Sequence, residues 1–293
     1  MPKIQAFILL HLIVFLWGFT GVIGKLLHQG PFIIVWYRLL IACLALCFFL
    51  WIKKVSFNIP RDQWLYVMLV GLVVALHWIT FYYAIQISTA SLGILCLATT
   101  TFHVVWLEPL ILKTKFSWIK LLFSLIVVAG VAFIARDFTG NILLAVFLGL
   151  LSALLAGIFS VSNARLAKKI DAPVLSLYEL LTGFIGITIY LFAINTPASA
   201  FQVSLTDACW LLFLGLVCTS FAFITAINLV KLLGAYTVSI TINLEPVYTM
   251  ALAILLLNEH KVLTIEFYVS AGLIIGTLMV NGWINRETSE LNP

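Results

Sequence analysis

Tyr37-Arg38-Leu39-Leu40 lies seven residues into one long apolar run, and Tyr178-Glu179-Leu180-Leu181 lies at the matching point of another. The two tetrapeptides are 141 residues apart in a chain of 293 residues. Further matches occur at offsets of up to 146 residues: Trp64 with Trp210, Ile79-Thr80 with Ile224-Thr225, and Gly130 with Gly276. We interpret the chain as two copies of one unit. The alternative is chance similarity between leucine-rich helices.

The composition predicts that both copies are embedded in a lipid bilayer. Hydrophobic residues make up 63% of the chain and charged residues 9%, whereas soluble domains carry about 25% charged residues. A membrane-spanning helix needs about 20 apolar residues. Ten such runs are predicted, over residues 4–27, 31–52, 63–85, 89–112, 117–135, 141–163, 173–194, 207–229, 235–257 and 263–285. The short connectors leave no room for a soluble catalytic domain.

The distribution of positive charge predicts the orientation of these spans. With the N-terminus in the cytoplasm, twelve of the 16 Lys and Arg residues lie on the cytoplasmic side, three lie outside, and Arg38 lies within a span. Cytoplasmic connectors of membrane proteins carry this excess of Lys and Arg. Each copy has five spans, an odd number, so the second copy enters the membrane from the opposite face. The predicted fold is an all-α integral membrane protein with ten transmembrane helices in two inverted five-helix repeats, residues 1–137 and 138–293.

Several classes of partner are not expected. All five cysteines lie within predicted spans and none forms a CxxC pair, so we expect neither a disulfide framework nor a metal site. The sequence indicates no cofactor. The net charge of +5 resides mainly in connectors, where it sets orientation, and does not indicate binding of nucleic acid.

Short motifs along the chain are similar to those of a known family. They are Trp17-Gly18 followed by Lys25, Arg38 in the second span, Leu244-Glu245-Pro246-Val247, Leu257-Asn258-Glu259, and Gly272 with Gly276 in the last span. In this order and spacing they resemble the EamA-like group of the drug/metabolite transporter superfamily. The resemblance implies ten helices in two inverted repeats, and export or uptake of small metabolites.

The chain departs from the family pattern at two points. Asn258 stands where the family often has glycine. In the first copy, Thr99-Thr100 occupies the place that corresponds to Glu245-Pro246 at an offset of 146. Glu108-Pro109 lies nine residues later and is therefore not the equivalent of Glu245-Pro246.

Two charged residues within the spans are the sharpest candidates for function, because an ionised group at mid-span costs about 2.5–3.5 kcal/mol. Glu245 lies about ten residues, or about 15 Å, into the ninth span, and Pro246 frees the carbonyl of Ile242. We predict proton coupling at Glu245; a protonated carboxyl that fixes a kink is the alternative. Arg38 is predicted to bind a carboxylate substrate bidentately, or else to snorkel outward or close a gate. In a core of about 30 Å, Glu179 lies too far below Arg38 to pair with it.

Other polar and aromatic residues complete the predicted substrate site. His103 is a second candidate for proton coupling, since histidine titrates near neutral pH. The alternative is that His103 has only a structural role, as a hydrogen-bonded histidine. Trp78 and Tyr82 share a helix face, where they either line a cavity or anchor the span at a membrane interface. The predicted substrate-binding residues are Trp17, Arg38, His77, Trp78, Tyr82, His103, Asn228 and Asn243.

These observations favour a secondary active transporter, with export of small metabolites, such as amino acids or related compounds, as the expected direction. The sequence has no Walker A loop to bind ATP. An intramembrane enzyme acting on lipid or peptide is the alternative, although HExxH and GxSxG motifs are absent. A channel would need repeated rings of like charge, whereas the copies place Arg38 and Glu179 at equivalent sites. We expect a small-molecule substrate, a monomer or homodimer, and a bacterial inner membrane with both termini cytoplasmic.

Overall fold

The computed structural model describes residues 2–135, 141–233, 238, 241–242 and 244–290. Its main helices are α1 (Lys3–Leu26), α2 (Pro31–Ile52), α3 (Trp64–Ile87), α4 (Ala90–Leu97), α5 (Thr100–Leu112), α6 (Trp118–Ala135), α7 (Asn141–Leu166), α8 (Ala172–Ala193), α9 (Leu205–Leu212), a π-helical segment (Phe213–Phe221), α10 (Ala222–Leu233), α11 (Glu245–Leu257) and α12 (Ile265–Glu290). No β-strand occurs among the described residues.

The helices match a membrane environment in length and composition. Within the described ranges, seven helical stretches are long and apolar enough to cross a bilayer, and three shorter apolar helices are Trp118–Phe133, Glu245–Leu257 and Ile265–Val280. Many large apolar side chains of these helices are exposed, among them Trp51, Phe192 and Leu255 at 71%, 86% and 75%. A surface of this kind is suited to lipid and not to water.

The fourth predicted span is a broken helix. Helix α4 ends at Leu97 and α5 begins at Thr100. The hydroxyls of Thr99, Thr100 and Thr101 each donate to the carbonyl three residues earlier, at 2.6, 2.7 and 3.1 Å. Hydroxyl groups that bond the local backbone compete with the regular helical pattern, which accounts for the break.

The eighth and ninth predicted spans also differ from simple helices. The eighth contains the π-helical segment between α9 and α10. Much of the beginning of the ninth, including Asn243, lies outside the described residues, and α11 begins at Glu245. Glu245 is therefore the first residue of a helix and does not lie at its middle. Pro246 occupies the first turn of α11, where a missing N–H costs no hydrogen bond.

The duplication in the sequence is repeated in the backbone. Helices α2 and α8 are both 22 residues long, with a proline in the first turn. Among the described residues, four non-glycine residues have positive φ, and they form two pairs at the repeat offsets: Lys54 with Asn195, and Lys113 with Asn258. Lys113 and Asn258 follow α5 and α11, which are both 13 residues long. The same turns therefore end the same helices in both copies.

The two copies are interlocked and share a core. Helix α1 packs against α10 and α11, and its equivalent in the second copy, α7, packs against α3 and α5. Helix α3 packs against α8, and α2 packs against the π-helical segment. Two contacts join equivalent helices: α2 with α8 and α6 with α12. This reciprocal pattern places α1, α2, α3 and the π-helical segment around one buried region.

Candidate functional site

Arg38 is held in this buried region by side chains from two other elements. Its Nε donates to Thr219 Oγ1 at 3.0 Å, and its Nη1 donates to Tyr82 Oη at 2.9 Å. Its Cζ atom lies 3.7 Å from the centre of the Trp78 ring. The four residues, Arg38, Trp78, Tyr82 and Thr219, are called the arginine site below.

The arginine site is closed to solvent and electrostatically incomplete. Arg38, Trp78 and Tyr82 are 4%, 7% and 0% exposed. The aromatic face attracts the guanidinium through its quadrupole, and this interaction strengthens where water is excluded. Within the described residues, no carboxylate forms a salt bridge with Arg38. A guanidinium has five N–H donors, so donors remain for an anionic partner.

Thr219 depends on the π-helical segment for its position. Its hydroxyl accepts from Arg38 and donates to the carbonyl of Leu214, five residues earlier, at 2.8 Å. Ser220 makes the same kind of bond to Gly215, at 3.0 Å. Widened turns of this kind are frequent at functional sites. Sequence reasoning missed Thr219, because a threonine in an apolar span has no distinctive pattern.

Helix α1 connects the arginine site to α11 through three glycines on one face. A Cβ atom at Gly24 would lie 2.7 Å from Tyr82 Cε1, and one at Gly21 would lie 3.1 Å from Thr249 Cγ2. A Cβ atom at Gly18 would lie 3.0 Å from the Cβ atom of Tyr248. Small residues let helices approach closely in membranes. Here they let α11, which begins with Glu245, pack closely against α1, the helix whose Gly24 contacts Tyr82.

Glu245 is the first residue of α11, which packs on the glycine face of α1 that also meets Tyr82. Glu245 is partly buried, and its carbonyl accepts a bond from Thr249 Oγ1 at 3.0 Å. Asn243 lies outside the described residues.

The other predicted site residues make their described contacts with groups other than Arg38. The Nδ1 atom of His77 lies 3.0 Å from the carbonyl of Ser152 and 2.8 Å from its hydroxyl, so His77 ties α3 to α7. His103 lies on α5, where its Nδ1 is buried without a partner among the described residues. Trp17 packs edge-on against Phe223, with ring centres 6.3 Å apart. Asn228 lies on α10 with an exposed side chain.

Two residues of the sequence motifs, Lys25 and Glu259, form hydrogen bonds with backbone groups at helix ends. Lys25 Nζ donates to the carbonyls of Ile85, Gln86 and Ser88 at 2.5–3.2 Å, at the C-terminal end of α3. Glu259, which is 4% exposed, accepts from the amides of Ala90 and Ser91 at 2.7 and 3.1 Å, at the start of α4.

Lys25 and Glu259 therefore satisfy backbone groups on both sides of the corner between α3 and α4. A cation at a helix C-terminus and an anion at an N-terminus both complement the helix dipole. The motif spacing marked both residues, but it gave no indication that they act on the same corner.

Asn258 explains a departure from the family pattern. Its φ is 54° and its ψ is 33°, a left-handed conformation in which it ends α11. Asparagine adopts this conformation more readily than most residues that carry a side chain. It can therefore replace glycine at this turn without disrupting it.

Comparison with known proteins gives three results. The family model described as EamA-like transporter family matches the chain twice, over residues 4–136 and 143–282. A solved crystal structure has a TM-score of 0.65 with this chain at 15% identity, covering 95% of this chain and 97% of its own; it supports the fold. No curated protein matches the sequence closely enough to count as a relative.

Proposed function

Because the chain belongs to the EamA-like transporter family, we propose that it is a secondary active exporter of small metabolites, such as amino acids or related compounds. It is a multi-pass integral membrane protein with a two-repeat, all-helical fold. We place it in a bacterial cytoplasmic membrane, with both termini cytoplasmic, as a monomer or homodimer. A carboxylate on the substrate is the feature that we expect the protein to recognise.

The observation that carries this substrate class is the buried guanidinium of Arg38. A charge withdrawn from water without a counter-ion costs several kcal/mol. Trp78, Tyr82 and Thr219 offset part of that cost and fix the plane of the guanidinium. A carboxylate that bonds the free donors would complete the site and supply the missing negative charge.

Glu245 and His103 are the proposed sites of proton coupling. Glu245 begins α11, which packs on the face of α1 that also meets Tyr82, so protonation of Glu245 would make the surroundings of the arginine site more positive. The Nδ1 atom of His103 is buried and has no described partner, so it can accept or release a proton when the surrounding helices move. Substrate affinity would then depend on the proton gradient.

Alternating access would be produced by two repeats, residues 1–137 and 138–293, each with five spans in opposite orientation. The support is the reciprocal packing in which α1 meets α11 and α7 meets α5. The ten proposed spans would comprise the seven helical stretches that are long enough to cross a bilayer and the regions of the three shorter apolar helices. Movement of one interlocked group against the other would expose the arginine site to each side of the membrane in turn.

The test is transport in proteoliposomes with Arg38→Ala, Arg38→Lys and the matched control Lys120→Ala, which removes a half-exposed lysine paired with Glu108. A hydrogen bond to a charged group contributes about 1.5–3 kcal/mol, so Arg38→Ala should weaken carboxylate transport about ten- to hundredfold. Arg38→Lys should recover part of it, since lysine keeps the charge but not the planar fork.

Neutral analogues should lose much less activity than carboxylates in the Arg38 variants. Equal losses on both classes would assign Arg38 a structural role and reject the proposed substrate class. Metabolite profiles of cells that overproduce the wild-type or Arg38→Ala protein, inside against medium, would identify the substrate and the direction of transport.

A further inference from the structure

Glu179 occupies the position in the second repeat that Arg38 occupies in the first, 141 residues later. It lies on α8 and is 2% exposed. Its Oε2 accepts from Asn163 Nδ2, on α7, at 3.1 Å. The second carboxyl oxygen of Glu179, Oε1, and the amide oxygen of Asn163, Oδ1, are both buried without a hydrogen-bond partner in the described structure.

The two unpartnered oxygens indicate that a hydrogen-bond donor is missing. Both are acceptors if the carboxyl is ionised, and a buried acceptor without a donor costs about 1–3 kcal/mol, more if it is charged. One proton on Glu179 supplies the donor. A carboxylic acid and an amide are complementary, since Oε1–H can donate to Oδ1 while Oε2 accepts from Nδ2. A metal ion would require about four to eight ligands, and two oxygens do not supply them.

Titratable groups on α2, α3 and α7 have their described contacts elsewhere. On α3, the hydroxyl of Tyr66 donates to Ser162 at 2.9 Å and His77 is bonded to α7. On α7, Arg165 lies 5.7 Å from the centre of the Tyr66 ring. On α2, Arg38 belongs to the arginine site. No described basic side chain forms a salt bridge with Glu179.

We propose that Glu179 and Asn163 form a proton-binding site of the second repeat, in which Glu179 carries the proton. This inference rests on the proposed transport function for its role and on the geometry for its existence. The backbone of Glu179 lies so close to Gly71 of α3 that a Cβ atom at Gly71 would clash with it. This close packing holds α8 against α3. Relative movement of α7 would separate the amide from the acid, and Glu179 would then release H⁺ to water and become a carboxylate.

Equivalent positions of the two repeats would thus have different roles in coupled transport. Arg38 binds the anionic group of the substrate, and Glu179 binds the proton that is exchanged or carried with it. The proton on Glu179 is separate from any proton on Glu245 or His103, so variants at each position can be compared.

The existence of the site is tested without transport, by infrared difference spectroscopy of the purified protein across a pH titration. Wild-type protein should show a protonated-carboxyl band that disappears in Glu179→Gln and persists in Glu245→Gln. In Asn163→Leu, which leaves the acid but removes its partner, the band should shift toward that of a free carboxyl group. An unchanged band in Glu179→Gln would overturn the proposal, and if that variant fails to fold, an unchanged band in Asn163→Leu would do so.

The role of the site is tested in proteoliposomes with a carboxylate substrate. A gradient of about one pH unit can drive about tenfold accumulation per coupled proton. Glu179→Gln should lower this accumulation about tenfold, the share of one coupled proton, whereas Lys120→Ala, which removes a half-exposed lysine paired with Glu108, should leave it within about twofold of the wild type. Undiminished accumulation in Glu179→Gln would overturn the coupling role. Absence of any wild-type transport would reject the proposed function, and the infrared result would still decide whether Glu179 holds a proton.

Discussion

Tyr37 and Tyr178 make equivalent hydrogen bonds in opposite halves of the chain. Tyr37 Oη donates to the carbonyl of Phe201 at 2.7 Å, and Tyr178 Oη donates to the carbonyl of Phe57 at 2.9 Å. Each tyrosine binds the connector between the second and third helices of the other copy. This exchange is what a two-fold relationship between the copies requires, and it links the repeat in sequence to the interlocked packing.

The first prediction concerns the side of the membrane on which these connectors lie. Lys53 and Ala198 are exposed residues in the two connectors. In a variant without the five native cysteines, Lys53→Cys and Ala198→Cys should react with a membrane-impermeant maleimide from opposite sides, because inverted repeats place equivalent connectors on opposite faces. Labelling after permeabilisation is the control. Reaction of both from one side would refute the inversion.

A second prediction tests the support that α1 gives to the arginine site. Gly24→Ala would place a methyl group against the Tyr82 ring and displace its hydroxyl from Arg38. Since such a bond to a charged group contributes about 1.5–3 kcal/mol, carboxylate transport should fall about tenfold or more. Gly30→Ala is the matched control, because nothing lies within 4 Å of a Cβ atom there. Equal activities of the two variants would show that the position of Tyr82 does not affect transport.

A third prediction concerns the cap that Glu259 places on α4. Glu259→Ala leaves the buried amides of Ala90 and Ser91 without their acceptors, and it should lower the free energy of unfolding by about 2–4 kcal/mol. Glu259→Gln should cost less, since one oxygen still accepts. Glu108→Ala removes a half-exposed carboxylate paired with Lys120 and should cost less than about 1 kcal/mol. Unfolding by denaturing detergent measures all three, and a Glu259→Ala protein as stable as Glu108→Ala would contradict the capping role.

A fourth prediction follows from the matched turns after α5 and α11. Lys113 and Asn258 both have positive φ, which glycine adopts without strain and lysine does not. Lys113→Gly should therefore stabilise the protein by about 0.5–1 kcal/mol, whereas Asn258→Gly should change stability by less than about 0.5 kcal/mol, since asparagine tolerates this conformation. Thermal unfolding of the two variants provides the comparison. A marked loss of stability in Lys113→Gly would show that this turn is built differently.

Much of the fold was predictable because lipid imposes simple rules. Apolar runs of sufficient length specify helices, and the tetrapeptides around Arg38 and Glu179 revealed the repeat. The interruptions were harder to predict, because they depend on where hydroxyl groups bond. The threonines that break the fourth span and the widened turn at Thr219 do not disturb the hydropathy of their runs.

The candidate site was predictable in part for a similar reason. Arg38 stands out in any apolar span, and the spacing of Trp78 and Tyr82 placed them on one face, which now meets the guanidinium. Which residues surround Arg38 from the second copy depends on how the copies interlock, and a single sequence does not contain that information. Thr219, which the interlocking brings to Arg38, was missed for this reason as well. Asn163 lies in the same copy as Glu179 and was missed because their hydrogen bond depends on how α7 and α8 are placed.

The cap on α4 also has a consequence for how the chain is assembled. Glu259 and Ala90 are separated by 169 positions along the chain, so α4 leaves the ribosome long before its acceptor is synthesised. Amides without partners are costly inside lipid. The corner between α3 and α4 therefore lacks this cap until the last connector has been made, and the second half of the chain supplies the group that completes the first.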